Sequence, residues 1–132
     1  MELWTMAAKL GSSKAHYQLG CTYGEGGELK KSKFHYEAAA MAGNEKARCN
    51  LGCMEFKSGN VERAVKHWTI AASAGSYHAM QCMLIAFRTG MVNRAAIDST
   101  LTAYNTSCAE MRSEARDAFI RFKTRRIERN NA

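Results

Sequence analysis

Small and apolar residues return along this chain every 32 positions. Ala7-Ala8 is followed by Ala39-Ala40 and Ala71-Ala72, and Ala15 by Ala47 and Ala79. Leu19-Gly20 recurs as Leu51-Gly52 and then as Met83-Leu84, while Trp4, Tyr36 and Trp68 form an aromatic column. Tyr23 is answered by Phe87, with Glu55 interrupting that column. Agreement in so many columns without a gap marks an internal repeat rather than shared composition.

Within one repeat the spacing describes two helices. Ala15, Leu19 and Tyr23 fall at i, i+4 and i+8, the face of a first helix. A second helix is predicted over 31–42, with counterparts over 63–74 and 95–106. Gly11, Gly43 and Gly75 suit the left-handed position that ends a helix. The residue after each, Ser12, Asn44 or Ser76, suits the N-cap that opens the next. Gly26-Gly27, Gly59 and Gly90 mark the turn inside each hairpin.

One such hairpin cannot cover its own apolar face, so hairpins must stack. The expected organisation is a half unit at 1–10, repeats at 12–42, 44–74 and 76–111, and a basic C-terminal capping helix and tail at 112–132. Ala115, Phe119 and Phe122 would give that last helix the apolar stripe with which it closes the stack. Leu3 and Trp4, with no preceding helix to cover them, suggest self-association through the N-terminal end.

The motif Ala15, Leu19-Gly20 and Tyr23, its echo at Ala47 and Leu51-Gly52, and Trp68 ahead of Ala71-Ala72 and Gly75 resemble the Sel1-like repeats, relatives of the tetratricopeptide repeats. The likeness is strongest over 33–79 and extends over 3–111. The chain departs from the family in its shorter repeat and in the abbreviated loop Gly24-Glu25-Gly26-Gly27. The resemblance implies an all-α, right-handed α/α solenoid that serves as a scaffold or adaptor, with no catalytic residues to carry over.

In such a solenoid the first helices line a concave wall. Their faces would present Lys14, Tyr17 and Cys21, then Lys46, Cys49, Cys53 and Lys57, then His78, Gln81 and Arg88. This wall is basic, with Glu25 the one acid near its edge, and an extended acidic peptide or protein is the expected partner.

Charge adds a second surface. The chain carries +7 overall. Arg112, Arg116, Arg121, Lys123, Arg125, Arg126 and Arg129 face only Glu114, Asp117 and Glu128, so 112–129 holds 7 − 3 = +4 of that total. The alternative reading is therefore electrostatic nucleic-acid binding through this helix.

Chemistry is sparse. No HExxH, GxSxG or phosphate-binding glycine loop is present, and the twelve acids form no pair suited to acid–base work. His35 and His67 share a repeat column, which points to architecture rather than to a unique active site. The five cysteines lack a CxxC and read as free thiols. Cys49 and Cys53, one turn apart, would share a metal only if histidines converged on them; otherwise they are small buried packing groups. The expectation is a non-enzyme with no metal and no cofactor. With no signal peptide or membrane span in the sequence, a cytoplasmic location is expected.

Overall fold

A computed structural model describes residues 12–131, and among these every regular element is helical. In chain order they are α1 (Ser13–Glu25), α2 (Leu29–Met41), α3 (Glu45–Lys57), α4 (Val61–Ser73), α5 (Tyr77–Arg88) and α6 (Arg94–Asn131). Each helix packs on the next, α4 also meets α6, and α1 touches α3. The expected half unit at 1–10, and with it the self-association through Leu3 and Trp4, lies outside the described residues.

The stops and starts follow from local chemistry. At the end of α2, Gly43 takes a φ of +94°, which a side chain would strain, and donates to the Ala40 carbonyl. Asn44 then donates its backbone N–H to the Ala39 carbonyl, completing a Schellman motif. The same Asn44 accepts a 3.0 Å bond from the Ala47 N–H through its side chain, opening α3. Gly75 and Ser76 repeat the arrangement between α4 and α5. One residue thus finishes one helix and begins another. The short loop after α1 also closes, with Gly26 capping the helix and Gly27 at a φ of +78°.

The hairpins are locked by contacts between glycine and an aromatic ring. Tyr36 of α2 lies against Gly20 of α1, where a Cβ would come within 2.6 Å of the ring. Trp68 of α4 lies against Gly52 of α3, where a Cβ would meet the indole at 2.5 Å. This is the physical reason for the recurring Leu-Gly pair: leucine fills the core and glycine admits the ring. Ala39-Ala40 and Ala71-Ala72 are buried, and their small side chains let α3 and α5 approach the preceding helix. Ser32, also buried, donates a 2.6 Å hydrogen bond to the Gly20 carbonyl, tying α2 to α1.

Glu55, which breaks an apolar column, is buried yet fully engaged. Lys33 of α2 reaches it at 2.9 Å and the Asn60 amide donates at 2.8 Å. The charged residue therefore joins two hairpins where the repeat pattern asks for an aromatic. The shared histidine column is likewise structural. His35 meets His16 at 3.0 Å and stacks on Tyr23, and His67 faces Arg48 at 3.5 Å, each pair bridging the two helices of one hairpin.

The C-terminal region differs from the expectation. No break separates the second helix of the third repeat from a capping helix at 112–129; α6 runs unbroken for 38 residues. Its first half packs through Ile97 and Thr100, and the Ser107 hydroxyl donates to the Ser73 carbonyl. From Ala109 onward every described residue is exposed, including Phe119 and Phe122 at 57% and 63%. The apolar stripe does not close the stack. Nothing in 112–129 interrupts helical propensity, since the chain contains no proline, and the core ends before the helix does.

Candidate functional site

Two adjoining clefts run along the first helices. One, of about 400 Å³, lies between α1 and the start of α3 and is lined by Lys14, Tyr17, Gln18, Glu45 and Lys46. The other, of about 510 Å³, lies between α3 and α5 and is lined by Lys46, Cys49, Cys53, His78, Gln81 and Cys82, with Tyr17 at its edge. Tyr17 and Lys46 line both, so the two clefts adjoin there.

Seven residues expected on the wall meet there: Lys14, Tyr17, Lys46, Cys49, Cys53, His78 and Gln81. The other three do not join them. Cys21 accepts a 3.3 Å hydrogen bond from the Tyr36 hydroxyl and packs beside Tyr17. Lys57 lines a separate cleft between α2 and α3 with Leu29, Lys33 and Glu55. Arg88 is exposed in the last turn of α5. The wall also carries an acid that the spacing argument overlooked, Glu45, in the first turn of α3 beside Lys46. Its carboxylate complements the positive end of the helix.

The floor of the second cleft holds an arrangement that the sequence reading missed. Cys82 of α5 joins Cys49 and Cys53 of α3, with the three sulfurs all within 4.8 Å of one another. Cys49 is buried and the other two are half-buried. The pair is expected to be packing groups unless histidines converge on it, and what converges on it is a third cysteine. The neighbouring Cys49 thiol holds the Cys53 thiol down to about 6; the Trp68 indole, Cys82 and the Lys57 charge act in the same direction, against burial. Cys49 is pushed up by that same contact with Cys53 and by burial, and Cys82 by burial. The buried Trp68 Nε1 forms no hydrogen bond of good geometry, although it lies close to Cys53.

The basic tail presents Arg112, Arg116, Arg121, Lys123, Arg125, Arg126 and Arg129 on the exposed half of α6. Phe122, Arg125, Arg126, Arg129 and Asn130 line a shallow depression along it, and Lys123 sits over the Phe119 ring at 5.0 Å from its centroid. Among the described residues no helix is long and apolar enough to cross a membrane. Set against protein-family models, curated proteins and solved structures, the chain matches none.

Proposed function

We propose that the chain is a Sel1-like α/α solenoid acting as a non-catalytic scaffold, which holds an extended acidic peptide or protein segment along the path lined by α1, α3 and α5. The observation that carries this reading is that two clefts adjoin along the first helices, with Tyr17 and Lys46 lining both. Lys14 and Lys46 supply positive charge along it, Gln81 and Asn50 supply hydrogen-bonding groups, and Tyr17 offers a ring with a polar tip. Each contact is weak alone, and register across several helices gives selectivity. A labelled peptide rich in Asp and Glu tests the reading by fluorescence anisotropy. The double variant Lys14→Glu/Lys46→Glu is expected to weaken binding by more than about tenfold, about 1.4 kcal/mol. Unchanged affinity would remove the groove from the argument.

A second reading gains from the exposure of α6 beyond Ala109, which frees seven basic side chains from any capping role. Here the helix binds nucleic acid through phosphate contacts, without sequence preference and with steep salt dependence. Mobility-shift titrations at two salt concentrations, with and without residues 112–132, separate the two surfaces.

A further inference from the structure

We propose that Cys49, Cys53 and Cys82 form a three-sulfur binding site for a soft d10 metal ion, of the zinc or cuprous copper class, on the floor of the α3–α5 cleft. This goes beyond the scaffold reading and does not depend on it.

The geometry is close to what such an ion requires. Two of the donors sit one turn apart on α3 and the third comes from α5, so the site ties together two helices that are separated in sequence by α4. A zinc–sulfur bond of about 2.3 Å in tetrahedral geometry places sulfurs about 3.8 Å apart. The three sulfurs lie within 4.8 Å of one another, so side-chain adjustments of no more than about 1 Å would close the site. Thiolate ligands select soft ions over magnesium or calcium, and no carboxylate belongs to the cluster. Three sulfurs suffice for cuprous copper. Zinc takes a fourth donor beyond these three; His78, one turn before Cys82, lines the same cleft but stands outside the three-sulfur group.

Two further observations support a ligand rather than simple packing. Trp68 is 95% buried (5% exposed) and its indole N–H lacks a well-formed hydrogen bond while lying close to Cys53. A buried donor left without a well-formed bond is costly, and the Cys53 sulfur is the acceptor beside it. Charge also balances. Three thiolates around a divalent ion leave one net negative charge, with Lys57 near Cys53 and Lys46 on the cleft wall to offset it. Each sulfur that is still protonated gives up its proton to water as its metal–sulfur bond forms, with no change of oxidation state.

The test uses the full chain, reduced and metal-free, titrated with cadmium as a spectroscopic substitute for zinc, then with zinc and with cuprous copper. One equivalent is expected to produce a sulfur-to-metal charge-transfer band and to protect three of the five cysteines from a thiol reagent. In a Trp4→Phe background, the fluorescence of Trp68 is expected to change in step. Cys82→Ser should weaken binding by more than about tenfold, the lower bound even for residues that only support a ligand. Cys53→Ser provides a second reading, and circular dichroism checks that both variants fold. The double variant Cys21→Ser/Cys108→Ser should bind as the parent does. Competition between zinc and cuprous copper then assigns the ion, and either one held by the three sulfurs supports the site. Binding unaffected by Cys82→Ser overturns the proposal. So do five thiols that stay reactive with metal present, or loss of binding in the Cys21/Cys108 variant.

Discussion

The second and third hairpins solve one packing problem in opposite ways. In the second, glycine on the first helix faces a large ring on the other, Gly52 against Trp68. Thirty-two residues on, both sizes are exchanged: Leu84 stands where the glycine was and Thr100, buried at 3%, where the ring was. The junctions between hairpins show a parallel exchange. Lys33 and Glu55 pair as ions between α2 and α3, whereas their counterparts Val65 and Phe87 both pack on the apolar cluster between α4 and α5. What the repeat preserves is the filled space between two helices, not the identity of either partner.

The most direct way to break this comparison is to empty the ring's place. Trp68→Ala is expected to cost about 3–5 kcal/mol of unfolding free energy, measured by urea denaturation. Next comes overfilling: Gly52→Ala, whose Cβ would meet the indole at 2.5 Å, should cost about 1–3 kcal/mol. The double variant Gly52→Leu/Trp68→Thr copies the third hairpin into the second. It should be less destabilised than the sum of its singles by about 0.5–3 kcal/mol, and strict additivity would show that the exchange is not compensation.

The junction comparison sharpens through pH. Hydrogen bonds from Lys33 and Asn60 hold the Glu55 carboxyl below its ordinary 4.5, against burial. The stability this contributes is present above that ordinary value and is lost as pH falls through the depressed one. Urea melts at neutral pH and near pH ~3 should show the loss in the parent. Lys33→Val/Glu55→Phe, which copies the apolar junction, should lose less stability over the same range. The smallest expected effect is at the tail. Removing residues 112–132 should change unfolding free energy by less than about 0.5 kcal/mol, since none of the described residues there is buried.

Much of this was legible in the residues because it is periodic. The caps at Ser12, Asn44 and Ser76, the alanine pairs and the column of Tyr36 and Trp68 all repeat, and all three capping bonds form. What the pattern hid is what happens between columns. Cys82 shares its column with Gln18 and Asn50, so a search along columns never pairs it with Cys49 or Cys53; only the facing of α5 against α3 does. Glu55 looked like a flaw for the same reason, as its partner Lys33 lies 22 residues away (55 − 33) and outside the period. The tail was misread on different grounds. Phe119 and Phe122 have helical spacing, which establishes a helix but not that anything covers its apolar side.

The dual duty of Asn44 and Ser76 has a consequence for how a chain of this kind can change over time. Because each residue closes one helix and opens the next, the joints between hairpins contain no spare length. Inserting or deleting one residue there removes either a stop or a start, and shifts the next helix against its cap by one residue, about 100° around its axis. Growth and loss at these joints are therefore confined to whole units of 32 residues, while the exposed end of α6 can lengthen or shorten one residue at a time.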